Sequence, residues 1–379
     1  MRIVSIVGAR PQFIKLAVVS KALRQWHEEC IIHTGQHYDY NMSAQFFEEL
    51  AIPVPDYHLG VGSGTHGAQT GRMLEAIEKV LMKQRFDWVI VYGDTNSTLA
   101  GALAATKLHI PVAHVEAGLR SFNRSMPEEI NRVAVDHLSD RLFCPTERAH
   151  TNLRNEGILQ GVEVVGDVMC DLLQGARSRL DQHAEQLLRT LGVAPQSYVL
   201  ATVHRAGNAD DPEVMSAIAD ALNRLEMPVI FPVHPRTCEQ LKHYDIAWRP
   251  HVRLIEPVGY FEMLVLESAA YRIVTDSGGV QKEAFLLEVP CVTLRKETEW
   301  IETLEDGWNV LAGSNRQAIV DAVRLTGPVC MSQERKKLFG AGDAAIRIAQ
   351  SLDSLEMPVP IHTQTVNRTA SNALAPHAL

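Results

Sequence analysis

The sequence has no apolar run approaching the ~20 residues that span a bilayer, so any membrane role would be confined to the surface. Its Lys and Arg residues form no run and no stripe interleaved with aromatics. With a formal net charge of −9, this argues against nucleic acid as the main partner. An anionic ligand must then be held by local devices. The six cysteines (Cys30, Cys144, Cys170, Cys238, Cys291, Cys330) are scattered, without a C-x-x-C pair, and no leader precedes the first strand. They are expected to be reduced thiols in the cytoplasm. No G-x-G-x-x-G follows that strand, so a dinucleotide fingerprint is lacking. His33 and His37 stand four apart with no third ligand at metal spacing, which favours a polar loop. Neither metal nor cofactor is expected. Periodicity is absent after about Pro358, and the tail 358–379 is expected to be disordered.

What is present is a regular alternation of short apolar runs and helical patterns over a chain of 379 residues, long enough for two full cores. The pattern predicts an α/β protein with two doubly wound parallel sheets facing a cleft. Residues 1–170 form a first Rossmann-like domain, the polar helical stretch 171–195 a link, and 196–357 a second Rossmann-like domain.

Residues 86–132 organise the first half. Trp88 to Val91 and Pro111 to Val115 read as parallel strands, with the small-residue segment Leu99 to Lys107 as the crossover helix. Asp94 follows the first strand, Glu116 the second, and Glu128 with Glu129 comes in the segment beyond. In open parallel sheets chemistry gathers at the carboxyl ends of strands, and carboxylates sharing one crevice can divide acid and base roles. Asp94 also suits a helix N-cap, and Glu128 and Glu129 a first helical turn after Pro127. Glu116 is harder to explain that way, because it follows a strand expected to be buried on both faces.

The opening strand RIVSIVG breaks at Gly8-Ala9-Arg10-Pro11 before a helix from about Phe13 to Trp26. Arg10 and Lys15 lie where cations and helix amides can meet phosphate, although a solvated surface role fits them equally. The glycine-rich stretch GVGSGTHGAQTGRM reads as a mobile loop at the mouth of the site, leading into a helix that starts at Thr70. In the second half a strand ends at Thr275, and Asp276-Ser277-Gly278-Gly279 delivers the chain into a helix carrying Glu283. Two glycines let amides approach a phosphate, the helix N-terminus favours its charge, and a carboxylate can take a ribose diol. This combination suits a sugar nucleotide. His204 and Arg205 end the first strand of this half and suit phosphate binding or general acid work; His234 is similar with less support.

Together GARPQFIK, YGDTNSTLAGALAA, HVEAGLRSFN with MPEEINR, VHR and DSGGVQKEA resemble the non-hydrolysing UDP-N-acetylglucosamine 2-epimerases, in order, to about Asn309. HTGQH, SGTHG, LFCPT, EPVGY and TEWIE are most similar to the branch that epimerises UDP-2,3-diacetamido-2,3-dideoxyglucuronate. The resemblance implies the two-domain glycosyltransferase-B fold, a UDP-sugar in the cleft, a homodimer, and elimination and re-addition of UDP for surface polysaccharide synthesis. It makes Asp94, Glu116 and Glu128 the acid/base carboxylates, with His204 assisting at the phosphate. Arg10, Ser277, Gly278 and Gly279 would hold the diphosphate, Glu283 the ribose, and Lys15 would line the site. Gln36 and Arg72 match a second, activating UDP-sugar site, where Asp39 stands in place of a usual Gln. Other departures are Gly207 at the acid of H-R-x-E-N, Trp300 in place of a substrate-contacting arginine, and Val258 and Met263 near the uracil. A glycosyltransferase of the same fold, a hydrolysing epimerase and a non-catalytic UDP-sugar sensor remain alternatives.

Overall fold

Strands β1 (Arg2–Val7), β2 (Glu28–His33), β3 (Tyr57–His58), β4 (Trp88–Tyr92), β5 (Val112–Val115), β6 (Arg141–Cys144) and β7 (Val162–Val164) form the first sheet in the computed structural model. Their order is β3-β2-β1-β4-β5-β6-β7. β8 (Val199–Thr202), β9 (Val229–Pro232), β10 (Val252–Ile255), β11 (Arg272–Thr275), β12 (Cys291–Thr293) and β13 (Asn309–Leu311) form the second, in the order β10-β9-β8-β11-β12-β13. Every pairing among them is parallel. The structure describes residues 1–36, 46–233, 235–244, 246–328 and 331–353. His37, Asp39, His234 and the tail from 358 lie outside them.

Both sheets are buried on two faces, which is why RIVSIV and WVIVY read as near-continuous apolar runs rather than alternating ones. In the first sheet the order reverses between β1 and β4, and in the second between β8 and β11. A crevice opens at the carboxyl ends of such a pair. Helix Asn96–Lys107 packs close over the first reversal because its sequence is small: a Cβ on Gly101 would fall 3.0 Å from Ile6 and 3.1 Å from Val91. Gln12 of helix Arg10–Leu23 fixes the crevice wall. Its carbonyl accepts from the Gly8 and Ala9 amides and its amide donates to the Tyr92 carbonyl.

Two elements differ from expectation. Helix His66–Leu81 begins inside the glycine-rich stretch that reads as a loop. Tertiary bonds override the glycines there: Gln69 donates to the Gly62 carbonyl at 2.8 Å and accepts from Asn96 at 2.8 Å, pinning the first turn. Helix Ala344–Asp353, which follows the second sheet in sequence, packs into the core beneath the first. Ile348, Ala349 and Leu352 bury against Phe13 and Leu16, and Asp171 caps it through the Ala344 and Ala345 amides. Burial of that cap raises the Asp171 carboxyl to about 6. Most of the stretch 171–195 read as a link, residues 171–190, belongs to one long helix, Val168–Thr190. Among the described residues no helix is long and apolar enough to cross a membrane.

Candidate functional site

Glu116 takes a left-handed backbone conformation, φ +72, directly after β5. A non-glycine residue holds that conformation only when its surroundings over-determine it, at a cost on the order of 1–3 kcal/mol. Here the Glu116 and Ala117 amides both donate to the Phe143 carbonyl at 3.1 Å, turning the side chain back over the strand ends. Its carboxylate meets Lys15 Nζ of the first helix at 2.9 Å and Lys282 Nζ, on helix Gly278–Leu286 of the second half, at 3.1 Å. Gly93 leaves room for the first pair: a Cβ there would stand 3.1 Å from Lys15 Nζ and 3.6 Å from Glu116 Oε1. Lys282 also bonds Asp167 and lies 4.2 Å from the centre of the Trp300 ring.

Burial would push the Glu116 carboxyl up, but the two ammoniums outweigh it and hold the group at about 2. A folded-state value below the unfolded one contributes stability that is complete above the unfolded pKa and is lost as pH falls through the folded one. The parent protein and Glu116→Gln should therefore differ in unfolding free energy by a constant amount above about pH 4.5. Urea titrations at successive pH values should show that difference shrinking between about pH 4.5 and 2. A difference independent of pH over that window would contradict the pairing.

Asp94, at the end of β4 beside β5, accepts from Arg132 Nη2 at 2.6 Å, and its own carbonyl accepts from Asn131 at 2.9 Å. Arg132 is buried, and its charge is shared with Glu129 at 3.0 Å and Glu299 at 3.6 Å. The two adjacent acids of helix Pro127–Leu138 have different surroundings. Glu129 is buried and accepts from Ser121 N, Ser121 Oγ and Phe122 N, so it shapes the preceding loop. Glu128 is half-buried and, among the described residues, makes no hydrogen bond or ion pair.

In the second half Asp276, fully buried after β11, accepts from the His204 and Arg205 amides and from Asn208 Nδ2. Its carboxylate also stands 3.3 Å from His204 Nδ1, whose ring is half exposed. The orienting acid for His204 is therefore Asp276 rather than position 207. Ser277 caps the next helix by accepting from Val280 N. A Cβ on Gly278 would fall 2.3 Å from Glu299 Oε1, whereas one on Gly279 would meet nothing nearer than Ser277 Oγ at 3.8 Å. Gly278 thus admits the neighbouring carboxylate, and Gly279 leaves its face open. Glu283 accepts from Tyr260 Oη at 3.0 Å; burial raises its carboxyl, and that bond and nearby Arg10 oppose the rise. Arg10 lies 4.3 Å over the Phe46 ring.

Gln36 accepts from Ser97 N and Oγ at the start of helix Asn96–Lys107, and Arg72 donates to the Ser63 carbonyl. Trp300 is buried against Phe339, and Met263 belongs to the core under β8, with Val258 packed against it. Those two positions are filled by packing. Arg132, Asp167, Asp276 and Lys282 were not among the sequence candidates. The partners that tie them into the site (Asp94 for Arg132, Lys282 for Asp167, His204 for Asp276, Glu116 for Lys282) are 38, 115, 72 and 166 positions away, a separation that local spacing does not announce. Among the described residues, no three His, Cys, Asp or Glu side chains cluster to hold a metal.

Comparison with known proteins follows the same lines. The family model for UDP-N-acetylglucosamine 2-epimerase matches residues 21–353. A protein of Methanococcus maripaludis named UDP-N-acetylglucosamine 2-epimerase homolog is 54% identical over 94% of this chain and 100% of its own. The UDP-2,3-diacetamido-2,3-dideoxy-D-glucuronate 2-epimerase of Pseudomonas aeruginosa is 50% identical, again over 94% of this chain and 100% of its own. The crystal structure of Methanocaldococcus jannaschii UDP-GlcNAc 2-epimerase in complex with UDP-GlcNAc and UDP superposes with a TM-score of 0.86 at 45% identity, covering 93% of this chain and 99% of that one. Two parallel sheets with a glycosyltransferase-B-like arrangement, a family match over most of the length and relatives at half identity end to end lead to one conclusion: this chain belongs to the UDP-N-acetylglucosamine 2-epimerase family.

Proposed function

We propose that the chain interconverts the gluco and manno forms of a 2-acetamido UDP-sugar without net hydrolysis. The observation that carries this reading is Glu116 at the end of β5, bridged at 3.1 Å by a lysine of the helix that begins at Ser277-Gly278-Gly279. It brings a carboxylate and a candidate diphosphate cradle to one crevice. In this reading Arg10, Ser277, Gly278 and Gly279 hold the diphosphate, Glu283 the ribose, and Lys15 lines the sugar pocket. A carboxylate among Asp94, Glu116 and Glu128 takes the C2 proton. The C1–O bond breaks with its electron pair leaving on UDP, which gives a C1=C2 glucal. Protonation of C2 from the opposite face and return of the diphosphate oxygen to C1 complete the inversion. The C2 proton is poorly acidic, so donors on the departing diphosphate, His204 among them, must accompany the base. UDP-N-acetylglucosamine and UDP-2,3-diacetamido-2,3-dideoxyglucuronate are the candidate substrates, the second supported by the half-identical relative. Gln36 and Arg72 are candidate contacts for a second, activating UDP-sugar. The reading includes a cytoplasmic homodimer supplying surface polysaccharide synthesis.

The test is proton NMR in deuterated water with each UDP-sugar supplied separately. The expected result is deuterium at C2 and a growing manno signal with the nucleotide still attached. Free N-acetylmannosamine would instead identify a hydrolysing enzyme, and binding without C2 exchange would move the reading to a transferase or sensor.

A further inference from the structure

Lys282 is the one cation of the second half that an ion pair within hydrogen-bonding distance ties to a candidate acid of the first, among the described residues. Its surroundings are unusual for lysine. Its side chain is 1% exposed, its ammonium is divided between Glu116 and Asp167, and the face of Trp300 covers it. A buried lysine in a helix has no reason to lie here for solubility, and its desolvation is met by two carboxylates and an aromatic face. Trp300 helps to explain its placement, because the ammonium stands 4.2 Å from the centre of that buried indole ring. Lys282 lies five positions after Ser277, about one and a half helical turns.

We propose that Lys282 is a positioning residue: from the helix after the glycine loop of the second half, it holds the Glu116 carboxylate of the first half in place. This rests on the epimerase reading above. Every charged group facing Glu116 takes part in it. Lys15 approaches from the first helix, Lys282 from the helix after the glycine loop, and Asp167 stands behind Lys282 at the N-cap of helix Val168–Thr190. Asp94, on the neighbouring strand end, is taken by Arg132, and Glu283 faces Tyr260 and Arg10. With both ammoniums present Glu116 stays a carboxylate throughout the working range. It then serves as a fixed anion beside the anomeric carbon as the C1–O bond breaks, and the proton traffic falls to Asp94 and Glu128. With Lys282 removed, one ammonium remains and the acid titrates higher.

Removing Lys282 alone would strand Asp167, so the informative variant is Lys282→Met/Asp167→Asn, judged against Asp167→Asn. Asn keeps the cap that Asp167 Oδ1 gives to Met169 N. The parent must first exchange C2–H for deuterium; failure there sinks the epimerase reading itself, not the positioning role of Lys282. Given exchange, the double variant should turn over at least about tenfold more slowly than Asp167→Asn. The acidic limb of its rate profile should move to higher pH. UDP affinity by calorimetry should stay within about twofold, because neither side chain is placed on the nucleotide. Lys282→Arg, which keeps the charge, should restore much of the rate. A double variant with the rate and acid limb of Asp167→Asn, or a loss explained wholly by lower melting temperature and weaker UDP binding, would reduce Lys282 to a structural ion pair.

Discussion

Glu128→Gln is expected to lower turnover about 10²- to 10⁴-fold, the range for loss of a positioned acid or base, while the protein unfolds at nearly the same urea concentration. The contrast between the two effects is the point. Glu128 lies in the first turn after Pro127, where an acid commonly serves only the helix dipole, worth about 0.3–1 kcal/mol at an exposed site. A structural Glu128 would show that small loss and no change in rate. The structure gives it no hydrogen bond or ion pair among the described residues, so the substitution strands no partner. Its neighbour should behave in the opposite way. Glu129 accepts from two backbone amides, a hydroxyl and Arg132, so Glu129→Gln should shift the urea midpoint as well as the rate. Steady-state rates and urea titrations of both variants decide the matter. A Glu128→Gln enzyme within about threefold of the parent would remove Glu128 from the acid/base set and overturn the division in which Glu116 stays ionised while Asp94 and Glu128 carry the proton.

How much of this was legible in the sequence depends on how far a residue's role is local. β1, β4 and β5 announce themselves because strands buried on both faces need unbroken apolar runs. Asp94 and Glu116 stand out because they follow such runs directly. The start of helix His66–Leu81 is hidden in the sequence, since glycine propensity is local and the Gln69 bonds that overrule it are not. Helix Ala344–Asp353 reads as one more amphipathic segment of the second half, and nothing in its own residues says which core it enters. Lys282 is hidden for a similar reason. A lysine in a helical pattern suggests solvent, and only the meeting of Glu116, Asp167 and Trp300 shows it buried. Asp276 reads as part of a turn, but its bonds to the 204–205 backbone depend on β8 and β11 being neighbours.

Asp136→Asn is expected to destabilise the protein by about 3–5 kcal/mol, the cost of breaking a buried charged network by removing one member. Asp136 is buried and accepts from His114 Nδ1 at 2.7 Å, Gly118 N at 3.1 Å and Arg120 Nη1 at 2.7 Å. His114 Nε2 faces the Gly93 carbonyl at 2.7 Å, so both ring nitrogens lie within hydrogen-bond distance of an oxygen. Asn is isosteric but brings an amide donor into a ring of donors and leaves buried charge unpaired. Arg120 keeps Glu156, which limits the loss; among the described residues His114 Nδ1 and the Gly118 amide have no second partner. The effect should reach the site, because Asp136 and His114 form the brace between Gly93, which precedes Asp94, and Gly118, which follows Glu116 by two residues. Carboxylates shifted by about 1 Å can cost on the order of 10²-fold in rate. Urea unfolding with rate measurements at a temperature where the variant remains folded separates the two consequences. A folded variant that keeps the parent rate would show that the acids are held by Lys15, Lys282 and Arg132 alone, and that the buried triad serves only the core.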